Sequence, residues 1–103
     1  MERLFRLLYK IKENPALYFG GRETLALLRA FIGGYIERQW EIEKSPEFTY
    51  ALNGFQEFVQ KKYKLGNFTV HSWDRIIDFY SSSDKEAWDR FYKLLDEFLN
   101  ENK

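Results

Sequence analysis

His71 and sixteen carboxylates are the side chains in this 103-residue sequence suited to moving a proton or holding a metal, for there is no cysteine. A catalytic histidine needs a partner to orient it and a reacting group within reach. The sequence around His71 supplies no such motif. It lies just before Ser72, a predicted helix cap, where a structural or interface role suits it. A metal site needs several ligands at defined spacing, and no EF-hand or zinc pattern is present. Carboxylates pair at Glu41/Glu43, Asp74/Asp78 and Asp96/Glu97. Glycosidase chemistry wants two carboxylates facing across a cleft, and close pairs arise by chance in an acid-rich helical chain. Gly20-Gly21-Arg22 precedes a helix, whose free N–H groups attract anions. It has neither Walker nor dinucleotide spacing and reads as a helix-opening turn. Lys61-Lys62-Tyr63-Lys64 falls in a last helical turn, where cations complement the macrodipole. Nucleic-acid binding would want more such residues on one face. The inventory predicts no catalytic residue, no cofactor and no metal. An enzyme would require a pocket joining His71 to two carboxylates.

Aromatic residues are abundant instead: ten Phe, seven Tyr and three Trp, 19% of the chain. A chain poor in reactive groups and rich in large amphipathic ones suits work by contact. The last third concentrates both requirements of an interface. Trp73, Tyr80 and Trp88 sit among Asp74, Asp78, Asp84, Glu86 and Asp89. Trp and Tyr are favoured interface anchors, and carboxylates around them steer a basic partner. The candidate partner-binding residues are therefore Trp73, Asp74, Asp78, Tyr80, Asp84, Glu86 and Asp89. The competing reading is that the two tryptophans are core and the acids a solvated face.

The elements that must position these residues are helical. Leu4, Phe5, Leu7, Leu8 and Ile11 form a helical stripe over residues 2–12, and Asn14-Pro15 stops it. Residues 16–21 form a short connection ending in two glycines. A second segment, about 22–44, carries Leu25, Leu28, Ile32, Ile36 and Trp40 on one face. Leu27, Phe31 and Tyr35 widen that face, so much of this helix should be buried. Gly33-Gly34 costs about 1 kcal/mol per glycine relative to alanine and predicts a kink or a close approach of another helix. Ser45-Pro46 ends the segment. A third runs over 49–64 with Leu52, Phe55, Phe58, Val59 and Tyr63, and Gly66-Asn67 closes it. Phe68-Thr69-Val70 is a short extended piece. Ser72 caps a fourth helix, 73–80. Ser83 and Glu86 have capping-box spacing for a fifth, whose stripe is Trp88, Phe91, Leu95 and Phe98, with Leu99 beside it. The prediction is an all-α, compact single-domain bundle of about five helices over 1–103.

Net charge is zero, which argues against direct nucleic-acid binding. Residues 1–30 hold six basic and three acidic side chains, and residues 66–103 five basic and eight acidic. No apolar run approaches the ~20 residues of a membrane span. Met1-Glu2-Arg3-Leu4-Phe5-Arg6 is not a signal peptide, so the Asn67-Phe68-Thr69 sequon is a coincidence. The cysteine-free composition fits the cytoplasm.

The stretch from Lys12 through Asn14-Pro15-Ala16-Leu17-Tyr18-Phe19-Gly20-Gly21-Arg22, with Leu25 to Tyr35 after it, resembles the opening of a group of small bacterial proteins. Its marks are a Pro-x-Leu-Tyr-x-Gly turn, then a helix ending in Phe-x-x-Gly-Tyr. The aromatic helix with Phe55, Phe58 and Val59, Trp73 opening a short helix, and a last helix with Phe91, Leu94, Leu95 and Phe98 extend the likeness along most of the chain. Such proteins are immunity proteins of contact-dependent growth inhibition and other polymorphic toxin systems. The resemblance implies that the chain neutralises a cognate protein toxin domain, often a nuclease and basic, by stoichiometric binding. It assigns Leu17, Tyr18 and Gly20 to the fold and carries over no partner-binding residue. The alternative is a helical adaptor or regulatory subunit, homodimeric through Gly33-Gly34 and the apolar face of the second helix. Gene neighbourhood separates the two.

Overall fold

A computed structural model of the chain describes residues 3–44, 47–66 and 71–101, with residues 47–51 described by backbone alone. Six α-helices fill most of them: α1 Arg3–Glu13, α2 Pro15–Phe19, α3 Leu25–Glu43, α4 Glu47–Lys62, α5 Trp73–Phe79 and α6 Asp84–Glu101. There is no strand among the described residues. The architecture is all-α, as the helical periodicity predicts. Asn67, Phe68-Thr69-Val70 and the Ser45-Pro46 stop lie outside the described residues. No described helix is long and apolar enough to cross a membrane.

The helix beyond the expected five is α2. Pro15 takes its first position, where the missing N–H costs nothing and φ is already helical. Gly20, at φ 59°, closes it by donating its N–H to the Ala16 carbonyl at 2.9 Å. One turn is too short to carry an apolar stripe, so the sequence shows only a connection there. α2 sends Tyr18 and Phe19 against Phe31 of α3, each ring 5.8 Å away and edge-on.

α3 starts later than the apolar pattern suggests. Thr24 is the extended cap, and its Oγ1 accepts the Leu27 N–H at 3.2 Å. Leu25, Leu28 and Ile32 are buried, but Leu27 is 41% and Trp40 46% exposed. The expectation of a largely buried helix is thus not met: the buried stripe is narrow and confined to the first half, and Leu27 lies beside it in solvent. Length explains the confinement: nineteen residues run about 28 Å, whereas the seven of α5, packed across that first half, run about 10 Å. Gly33 and Gly34 serve no close approach by a described element, since a Cβ at either would meet nothing within 4 Å. The close approach is at Gly54 on α4, where a Cβ would stand 3.2 Å from Cζ of Phe98. The αL residue that ends α4 is Lys64 (φ 58°), not Gly66. The Leu65 N–H then reaches back to the Gln60 carbonyl at 2.8 Å.

The core lies along α6, which buries Ala87, Trp88, Phe91, Tyr92, Leu94 and Leu95. Phe55 of α4 meets Trp73, Phe91 and Phe98 at 5.5–5.8 Å between ring centres, all edge-on. α1 covers the other side with Leu4, Phe5, Leu8 and Ile11. The buried Tyr92 hydroxyl donates to the Leu8 carbonyl at 2.6 Å, joining α6 to α1. Half of the predicted capping box at α6 is present: Ser83 Oγ accepts the Glu86 N–H at 3.1 Å. The Glu86 carboxylate turns instead to Ser82 and Arg90.

Candidate partner-binding surface

α5 carries four of the seven candidate residues or adjoins them, and α4 holds it in place. The Gln56 side chain accepts the Trp73 N–H at 2.7 Å and donates to the His71 carbonyl at 3.1 Å. That amide satisfies the first free N–H of α5, which no residue of its own turn reaches. Ser72 occupies the predicted cap position, but its side chain caps no N–H and donates to Asp74 instead. Glutamine is not a cap by local pattern, so the role of Gln56 is not readable from spacing.

The structure divides the seven candidates. Trp73 is 3% exposed and packs on Phe55 and Phe91. Asp74 is 5% exposed, accepts from Ser72 and lies 3.4 Å from Nε of Arg29. These two belong to the core and to the α3–α5 junction, and burial withdraws them from any partner. Glu86 is half-buried and bound to Ser82 at 2.6 Å and Arg90 at 3.0 Å. The Ser82 hydroxyl and the Arg90 charge hold its carboxyl below the usual value. Asp89 faces solvent but pairs with Lys85 at 3.0 Å. Asp78, Tyr80 and Asp84 remain, grouped at the C-terminal end of α5 and the first turn of α6.

At that corner the aromatic signal is stronger than the sequence reading assigned. Phe79 is 80% exposed and Tyr80 43%. Tyr80 stacks on Tyr63, ring centres 4.5 Å apart and planes within 5°. Phe79 leans edge-on against Tyr80 at 5.0 Å. The Tyr80 carbonyl accepts Nη1 of Arg90 at 2.7 Å, so the turn into α6 is clasped from the following helix. Phe79 was overlooked, although the signal existed. On a helix it points about 60° from Ile76 and about 120° from Trp73, outside the arc that Trp73, Ile76 and Ile77 share, where a polar residue is the norm.

A shallow groove of about 550 Å³ runs beside this corner, lined by Leu65, Ile76, Phe79 and Tyr80 with His71, Arg75 and Asp78. It brings His71 beside a single carboxylate. Burial, with Asp74 and Asp84 nearby, pushes the Asp78 carboxyl above its usual value. Among the described residues no group of three or more His, Asp or Glu is arranged to hold a metal ion. The corner therefore offers an aromatic ring, a second ring behind it and carboxylates in want of a cation, a combination made for binding.

Comparison with protein-family models, curated proteins and solved structures finds no match to this chain.

Proposed function

We propose that the chain is a bacterial immunity protein that neutralises a cognate toxin domain by stoichiometric binding. The observation that carries this reading is the corner of Asp78, Phe79, Tyr80 and Asp84, where exposed rings and carboxylates stand on a rigid base. Phe79 and Tyr80 are exposed side by side beside an apolar-lined groove, and contiguous exposed apolar surface suits a partner where a lone exposed residue would not. If the toxin is a nuclease, its cleft is positive in order to hold phosphate. The Asp78 and Asp84 carboxylates would cover such a surface and steer its approach. On this reading the protein acts in the cytoplasm of the toxin-producing cell and needs no cofactor.

The test is a pull-down of the tagged chain against the product of the adjacent toxin-like gene, followed by an activity assay on the complex. One-to-one binding that abolishes toxicity is expected. The double charge reversal Asp78→Lys, Asp84→Lys should weaken the complex and flatten its salt dependence while leaving helicity intact. Binding without loss of toxicity would overturn the reading. The homodimeric adaptor is the second reading. What favours it is the exposure of Trp40 and Ile42 on α3, 46% and 59%, along the helix that bears the uncovered Gly33 and Gly34. Sedimentation equilibrium of the isolated chain distinguishes it, since the immunity reading requires no self-association.

A further inference from the structure

We infer that the Asp78–Phe79 corner of α5 is the seat for an arginine side chain of the partner protein, its guanidinium laid on the exposed Phe79 ring and paired with the Asp78 carboxylate. This rests on the reading of the corner as a docking face and names the chemistry that docks there.

The ring comes first. Phe79 is four-fifths exposed, and its one ring contact among the described residues is the perpendicular one with Tyr80. The residue behind it is held in place. Tyr80 is stacked on Tyr63, and the Tyr80 carbonyl is held by Arg90, itself anchored on Glu86. A partner that settles here meets a turn already ordered by these contacts, which lowers the cost of binding.

The charge comes second. Asp78 forms no ion pair among the described residues, whereas Asp74 has Arg29, Glu86 has Arg90 and Asp89 has Lys85. The groups that face it are Asp74 on its own helix and Asp84 on α6, with His71 and Arg75 along the groove. Arg75, one turn earlier on the same side of α5, is neither within ion-pair distance of Asp78 nor over the Phe79 ring. The carboxylate therefore has no ion-pair partner among the described residues and lines the same groove as the exposed ring. A cation over a ring with a carboxylate beside it is the geometry that a guanidinium fits best: it is planar, stacks, is weakly hydrated and forks onto oxygen. Phosphate is disfavoured there, because Asp78 lines the groove and Asp84 adds its negative charge nearby. A purely apolar partner would bury Asp78 without a counter-charge, which is costly.

The test uses the full-length chain, labelled for NMR, and the peptide acetyl-(Gly-Arg)3-amide. Its lysine and citrulline counterparts, and the toxin domain encoded alongside, are run in parallel. The arginine peptide should shift amide signals centred on Asp78 to Tyr80, the lysine peptide more weakly, and the neutral citrulline peptide not at all. Phe79→Ala and Asp78→Asn should each abolish the localised shifts, and Leu17→Ala, at another exposed apolar residue, should leave them intact. Against the toxin, Phe79→Ala should weaken binding about thirtyfold, as loss of an interface anchor does. Shifts scattered over other carboxylates, or unchanged by Phe79→Ala, would overturn the seat. Toxin bound equally well by Phe79→Ala would also overturn it while leaving the immunity reading standing. A toxin that fails to bind, with the peptide still seated at Phe79, would sink the immunity reading and uphold the seat.

Discussion

Asp78 carries an internal conflict that makes it informative. Its carboxylate is partly desolvated and shares its surroundings with Asp74 and Asp84, so its folded pKa is raised. An acid whose pKa rises on folding binds its proton more tightly in the native state. Stability is then lost as pH rises through the carboxylate range and regained as pH falls. Asp78→Asn should therefore raise the melting temperature slightly at neutral pH, within the few tenths of a kcal/mol usual for a surface change. That gain should vanish in acid, where Asp78 itself is protonated, and thermal melts at two pH values check it. The same substitution should weaken partner binding. Opposite signs for stability and binding at one position are what a functional residue kept at a cost to the fold produces. Asp74, one turn away, should behave otherwise. It is buried and paired with Arg29, so its loss unfolds before it informs about binding.

At the scale of elements, α5 depends on its neighbour. Seven residues are far below the length at which a helix holds itself in water, and its first N–H is satisfied by Gln56 from α4. Gln56→Ala should cost about 1 kcal/mol, the net worth of a partly buried hydrogen bond, with faster hydrogen exchange concentrated in α5. The glycines give a contrast within the same chemistry. Gly33 and Gly34 are mid-helix with open space where a Cβ would go, so alanine at either should stabilise by about 1 kcal/mol. At Gly54 the Cβ would press on Phe98, whose ring is packed by Phe5, Phe55 and Phe58. Alanine there should gain less than at Gly33 or Gly34, or lose stability, in parallel urea titrations. If Gly33→Ala destabilised instead, a partner on the exposed side of α3 would be indicated.

For the whole molecule, the joint between α1 and α6 sets the alkaline limit. Tyr92 is 2% exposed and donates to Leu8, and Tyr9 donates to Asp96. Burial raises both phenols above their usual value, and the Asp96 carboxylate adds to the effect at Tyr9. Their neutral forms are favoured by the fold, so the stability they contribute is complete below the unfolded phenol pKa of about 10 and is lost as pH rises above it. Unfolding monitored by helicity should set in as pH passes about 10 and should be steeper than in a Tyr92→Phe variant. That variant, in turn, should cost about 1 kcal/mol at neutral pH for the lost hydrogen bond.

The all-α class, five of the six helices and most of the core were legible in the residues alone, because they rest on local periodicity. Leu4, Leu8 and Ile11, or Phe91 and Leu95, lie on one face of any helix they form, whatever packs against it. The acidic and aromatic bias of the last third was legible too. The residues that make up the surface were not. Trp73 and Phe79 are both aromatic, and Asp74 and Asp78 are both aspartates four positions apart, yet one of each pair is buried and the other faces water. Which side of α5 turns inward follows from where α3, α4 and α6 meet it, through contacts such as Arg29 with Asp74 and Gln56 with Trp73 that link residues far apart in sequence. Sequence by itself determined that rings and carboxylates would gather at this end of the chain. Only the tertiary structure decided that Phe79 and Asp78 stand outside, because burial is a property of the assembled helices.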